Sequence, residues 1–193
     1  MRVKSWTKSS NVHRVHEFMA MGLVEASDTA IDGGASIGAW AYGMAQYFGR
    51  VIAFEPTPET FARLAHNTKN IENIECFNQA LMDKPGFISM KAPAGNAALK
   101  ARYAEWDNGG RVQAITIDSL NLSGCGLIKL DLEGAEALAL DGAVATIARC
   151  RPALVVEIQH SARFGIEPEA VHQKVLDMGY REVFRDAQDR FYV

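Results

Sequence analysis

"IDGGASIG", residues 31–38, is the stretch on which the reading of this chain depends. It sets three glycines and a serine between an apolar, strand-like lead (Ala30, Ile31) and an apolar, helix-like continuation from Trp40 to Phe48. A glycine-rich turn between a strand and the next helix lets backbone amides and the helix start approach a ligand with no Cβ in the way. In an open parallel sheet ligands sit in the crevice beyond the carboxyl ends of the strands, and Gly33, Gly34, Ser36 and Gly38 make a coherent surface there. Turn chemistry alone also selects glycine, so the loop needs a second element before it signifies a cofactor.

The flanking segments supply the frame. Before the loop, Val12, Val15, Phe18, Met19 and Leu23 recur at helical intervals, with Asn11 placed to cap the start. Residues 1–28 are therefore expected to be a leader and a helix packed on the core, and 29–193 a single domain. Thr29 to Asp32 reads as a strand, Ile37 to Phe48 as a helix, "RVIAFEP" (50–56) as a second strand, Pro58 to Asn70 as a helix and "IECFNQ" (74–79) as a third strand. Short apolar strands separated by helices argue for an α/β protein with a parallel sheet and crossovers. "FISMKAP" (87–93) and Arg111 to Ile117 read as strands, whereas 94–110 has weak periodicity and reads as a lid or an ordered excursion near the site. "GLIKLDLEG" (126–134) and "PALVVEIQ" (152–159) are two more buried strands. The first precedes a helix interrupted at Gly142, the second a helix from Glu167 to Met178. "YREVF" and "RFYV" close the chain as an antiparallel hairpin through "RDAQD".

Bulk numbers narrow the partners. The 193 residues carry 20 basic and 23 acidic side chains, a net charge of -3, so no global field calls for nucleic acid. Basic residues near the start (Arg2, Lys4, Lys8, Arg14) read as a solvated face. Cys76, Cys125 and Cys150 lack metal-binding or redox spacing and read as reduced thiols of a cytoplasmic protein. The opening residues have no signal-like apolar region, and no stretch approaches the roughly 18 apolar residues of a membrane span.

The second element is Glu55, at the end of the second strand and 17 residues after Gly38. A carboxylate there can accept two hydrogen bonds from a ribose diol; a surface glutamate beside a turn-forming proline is the plain alternative. Against a dinucleotide, the G-x-G-x-x-G pattern fails at Ser36 and Ala39 when started from Gly34. Read instead as acidic-x-G-x-x-x-G, the stretch gives Asp32, Gly34 and Gly38. That suits S-adenosyl-L-methionine, which has no phosphates: Asp32 and loop carbonyls would take its ammonium, and amides near Ile37 and Gly38 its carboxylate. A nicotinamide oxidoreductase and a non-catalytic adenosyl-ligand sensor are the rival readings; fold alone never proves turnover.

With these residues in view, the chain resembles the FkbM family of class I S-adenosylmethionine-dependent methyltransferases. The resemblance rests on "AIDGGASIGAWA" (30–41), "VIAFEPTPETFARLAHN" (51–67), "ALMD" (80–83), "ITIDSL" (115–120), "LIKLDLEGAEALALDGA" (127–143), "PALVVEI" (152–158) and "LDMGY" (176–180). It implies a Rossmann-like fold with a mostly parallel seven-stranded sheet, an antiparallel C-terminal hairpin and helices on both faces. It further implies methyl transfer, usually to a hydroxyl of a saccharide, glycolipid or secondary metabolite. By the same resemblance Asp32 and Gly34 line the methionine moiety, Glu55 the ribose, Asp83 the adenine amine, and Met82 or Leu81 the purine ring. Asp131 would face the methionine portion or the acceptor. Gly33 and Ser36 stand where the family more often has an apolar residue and an asparagine.

The chemistry draws on the acidic segment. Period 2 puts Lys129 and Asp131 on one face of their strand, so Asp131 either enters the crevice or pairs with Lys129. Removing a proton from an acceptor hydroxyl calls for a base, and the candidates are Asp131, Glu133 and His160, the last just beyond "VVEIQ" at the same sheet edge. Glu157 can orient an acceptor, and Glu136 reads as a charge in a first helical turn. Asp131, Glu157 and His160 could ligate a divalent ion, but their separation does not specify one, and no metal is expected. His13, His16, His66 and His172 read as solvated or locally bonded. Trp6, Trp40, Tyr103 and Trp106 are the aromatics available to an acceptor pocket, a small molecule or glycan being the expected partner, and a homodimer is left open.

Overall fold

A computed structural model describes residues 10–24, 29–91, 103–107, 109–186 and 189–193. Along the chain run α1 (Ser10–Ala20), β1 (Thr29–Gly33), α2 (Ala39–Met44), β2 (Arg50–Phe54), α3 (Pro58–Thr68), β3 (Ile74–Phe77), β4 (Gln79–Leu81) and β5 (Gly86–Lys91). There follow β6 (Tyr103–Trp106), β7 (Val112–Ile115), β8 (Leu127–Leu130), α4 (Glu136–Asp141), α5 (Val144–Cys150), β9 (Ala153–Glu157), α6 (Pro168–Asp177), β10 (Glu182–Asp186) and β11 (Asp189–Tyr192).

The main sheet has seven strands in the order β10-β11-β9-β8-β1-β2-β3, parallel from β9 to β3 and antiparallel at the β10–β11 hairpin. Strand alternation divides its two faces. Ile31, Ile52, Phe54, Ile128, Leu130, Leu154 and Tyr192 point to the core shared with α4, α5 and α6. Ala30, Val51, Ala53, Leu127, Val155 and Phe191 point to the core shared with α1, α2 and α3. Both faces are apolar because both are covered, the condition for a parallel sheet. The chain runs outward from β1 through β2 to β3 and later outward the other way from β8 to β9, so the order reverses between β1 and β8, where ligands of such sheets lie.

Several local expectations shift. Helix α2 does not begin at Ile37: Ser36 and Gly38 have positive φ (50° and 98°), so helical geometry starts only at Ala39. Asn11 lies within α1 rather than capping it. "IECFNQ" breaks at Asn78, whose Nδ2 donates to the carbonyls of Glu55 and Pro56 (2.8 and 3.0 Å); Gln79 then enters a different sheet. That second sheet, β4-β7-β5-β6, absorbs "FISM" and Val112 to Ile115, which sequence periodicity could not assign to a partner. Among the described residues no helix is long and apolar enough to cross a membrane.

Candidate cofactor and acceptor site

The glycine loop is folded tightly against β2 and the exit of β8. Gly34 has φ +71°, and a Cβ there would stand 1.8 Å from the Asp131 carbonyl oxygen, so only glycine lets the loop lie against the exit of β8. The Gly34 and Ala35 amides both donate to the Phe54 carbonyl (2.9 Å each), and the Gly38 amide donates to Ala35 (2.8 Å). The Ser36 amide donates to Glu55 Oε2 at 3.0 Å.

Glu55 is thereby the joint between loop and second strand. Its other oxygen accepts the Thr57 amide at 2.8 Å, and Asn78 braces the Glu55–Pro56 turn from behind. The side chain is buried but reaches the cleft, and burial pushes its carboxyl above the usual range. Each oxygen keeps a lone pair beyond its amide bond, which leaves capacity for a diol.

Asp32 is wholly buried and does not line the cleft. It faces Lys129, its register neighbour across β1 and β8, with Nζ 3.1 Å from Oδ1. Lys129 also donates to the Gly33 and Gly34 carbonyls (3.0 and 2.9 Å) and lies 3.7 Å from Asp131. The pairing foreseen between Lys129 and Asp131 exists, but it is the longest of the contacts. The lysine's main work is to hold the glycine loop, a role the sequence reading missed although the lysine's place on a buried strand was the signal.

One register step further toward the strand ends, the same face carries Asp131, Glu157 and Asp189 abreast, with Asp189 directly opposite Glu157. Burial, and then the neighbouring Asp131, hold the Glu157 carboxyl well above its ordinary range. Asp131 is more open, its side chain 38% exposed, and it lines the cleft. Glu133, also lining it, has φ +57° and accepts from Arg163 at 2.8 Å, with His160 Nε2 3.6 Å from the same oxygen. Glu136 does not offer its charge to solvent at a helix start. It is fully buried and folds back onto the loop before it, accepting the Leu132 and Gly134 amides at 2.6 and 3.2 Å. Burial raises its carboxyl to about 7.

The cleft these parts enclose holds about 320 Å³. Gly34, Ser36, Glu55, Met82, Asp131 and Glu133 line it; Asp32, Gly33, Gly38, Asp83 and His160, also singled out in the sequence, stand behind or beside it. Asp83 follows Met82, and its Oδ1 is buried without a hydrogen-bond partner. Met90 and Ala104 bring the second sheet over the cleft, and Asn11 brings α1; none of the three was foreseen. Of the aromatics, Trp40 is core, near Phe191, and Trp106 packs over Gly86 with Lys84 Nζ 5.2 Å from its ring. Trp6, the side chain of Tyr103 and residues 94–102 lie outside the described residues. Of the other histidines, His13 pairs with Glu17, His16 with Tyr47 and His172 with Tyr192.

The sheet order, the glycine turn at the reversal point and the carboxylate after the second strand define the Rossmann-like fold of class I methyltransferases. A family model described as the methyltransferase FkbM domain matches residues 32–182, and the chain belongs to that family. A comparison with curated proteins gave no match. Among solved structures, the chain is similar to methyltransferase FkbM from Methylobacillus flagellatus KT at 20% identity and a TM-score of 0.59. That match covers 94% of this chain and 49% of the other, so the chain spans about half the length of that relative. The magnesium protoporphyrin IX methyltransferase of Synechocystis PCC 6803, solved with bound S-adenosylmethionine, is 9% identical with a TM-score of 0.53, over 95% of this chain and 76% of that one. Fibrillarin of Aeropyrum pernix, with natively bound S-adenosyl-L-methionine, is 14% identical with a TM-score of 0.50, again over 95% and 76%. These structural likenesses speak to the fold.

Proposed function

We propose that this chain binds S-adenosyl-L-methionine in the cleft between the glycine loop and Glu55 and methylates a hydroxyl oxygen of a saccharide, glycolipid or secondary metabolite. One observation carries the reading. Gly34, pressed against the Asp131 carbonyl where no Cβ would fit, and the Glu55 carboxylate, fixed by two amides, line the cleft together at the point where the strand order reverses. The cleft also fits the cofactor's parts. Glu55 offers acceptors to a ribose, Leu81 and Met82 an apolar wall to a purine, and the unpartnered Oδ1 of Asp83 an acceptor to an exocyclic amine.

The bound cofactor would supply an electrophilic methyl group on a sulfonium. Asp131, lining the cleft, supplies a negative charge for that cation. Bond formation at a hydroxyl oxygen releases one proton. Asp131 and Glu133 reach the cleft to accept it, with His160 adjacent to Glu133 to carry it outward. Holding the two reactants in line supplies the remainder of the rate.

The test is incubation of the full chain with the methyl donor and a panel of hydroxyl-bearing sugars, glycolipids and secondary metabolites. The readout is S-adenosylhomocysteine together with an acceptor heavier by one methylene. Absence of any calorimetric binding of either S-adenosylmethionine or S-adenosylhomocysteine to folded protein would overturn the proposal.

A further inference from the structure

The glycine loop is short of free donors. Its amides at Gly34, Ala35, Ser36 and Gly38 are spent within the protein, on Phe54, Glu55 and Ala35, which leaves the Ile37 amide, and the Lys129 ammonium behind it is buried and committed to Gly33, Gly34 and Asp32. The side chains beside the loop exit, Asp131 and Glu133, are acidic. A ligand whose amino-acid end lies here finds acceptors for its ammonium, but beyond the Ile37 amide it must look elsewhere for donors to its carboxylate.

Asn11 answers that need. It lines the cleft from α1, and its Oδ1 accepts from Arg14 Nη1 at 3.3 Å, so the N–H groups of the amide are what it has to offer a ligand. Nor is α1 a loose leader. Val12, Val15 and Phe18 are buried, and Gly43 of α2 admits Val15 so closely that a Cβ there would meet its Cγ2 at 2.9 Å. Arg14 is tied to Asp186 and Asp189 of the C-terminal hairpin, the second at 3.0 Å. Asp189 in turn belongs to the acidic row of Asp131 and Glu157, so the tie brings Asn11 over the end of the cleft where an amino-acid moiety would lie.

We infer that Asn11 is a specificity residue of the cofactor site, donating a hydrogen bond to the carboxylate of the ligand's amino-acid end, with Arg14 as the positioning residue that fixes its amide. The inference rests on the adenosyl-ligand reading above. Its test is calorimetric binding of S-adenosylhomocysteine and of 5′-methylthioadenosine, which lacks the amino-acid end, to the full chain and to Asn11→Ala and Asn11→Asp. Asn11→Ala should weaken S-adenosylhomocysteine about tenfold and Asn11→Asp at least as much, while methylthioadenosine stays within about twofold. Retained methylthioadenosine binding also certifies that each variant is folded. Equal loss for both ligands, or no loss for either, overturns the role of Asn11. If the unaltered chain binds neither ligand, the adenosyl reading falls first and the inference with it.

Discussion

Lys129 and Asp32 are register neighbours on β8 and β1, 3.1 Å apart from nitrogen to oxygen, and both are essentially dry. The lysine's bonds to the Gly33 and Gly34 carbonyls mean that the pair also fixes the turn where the strand order reverses. Removing one partner of such a pair strands the other, whereas removing both does not. Lys129→Met should destabilise the protein by about 3–5 kcal/mol in urea unfolding, and the double variant with Asp32→Asn should recover part of that loss. A single variant as stable as the parent would show that the lysine braces nothing.

Gly34 and Gly165 share φ +71°, but a Cβ at Gly165 meets open space and one at Gly34 meets the Asp131 carbonyl oxygen at 1.8 Å. Gly165→Ala should cost only the left-handed backbone penalty, about 1 kcal/mol, and Gly34→Ala at least about 2 kcal/mol more. Parallel urea unfolding of the two variants checks the difference, and equal losses would mean that the loop yields freely.

Glu55 holds two backbone amides through two oxygens. Glu55→Gln keeps the shape but has one acceptor oxygen, so S-adenosylhomocysteine affinity should fall roughly 10- to 100-fold while the fold persists. Calorimetry alongside far-ultraviolet circular dichroism separates the two effects. Unchanged affinity would remove Glu55 from the site.

Burial raises the Glu136 carboxyl from 4.5 to about 7. The folded chain then binds more protons at this group than the unfolded chain between those values. Its contribution is therefore fully present below about pH 4.5 and lost as pH rises through about 7. Burial shifts Glu55, Asp32 and Glu157 in the same direction, so the parent should lose stability toward alkaline pH. Glu136→Gln keeps an acceptor for Leu132 and Gly134 but cannot ionise. It should match the parent near pH 5 and exceed it near pH 8, by up to about 3 kcal/mol. Unfolding midpoints across that range give the slope, and identical slopes would contradict the argument.

Much of this architecture could be read along the chain because local pattern and burial coincide. "AIDGG" and "VIAF" are apolar runs that can be satisfied only between two covered faces, and "IDGGASIG" is a turn only glycine can make. The break at Asn78 was not legible, since the bonds that cause it go to Glu55 and Pro56, more than 20 residues away. The second sheet escaped for the same reason: β4 pairs with β7 across a separation that no local periodicity records.

The sequence by itself determined the parallel sheet, the glycine turn and the carboxylate after the second strand, because strand alternation and backbone sterics act between near neighbours. Only the tertiary structure decided which acidic groups are dry and which face the cleft. Asp32 and Asp131 look alike in a string of letters, yet one is sealed against Lys129 and the other opens to the cleft. The difference arises where strands and α1 converge from distant parts of the chain, since desolvation and charge pairing depend on neighbours in space.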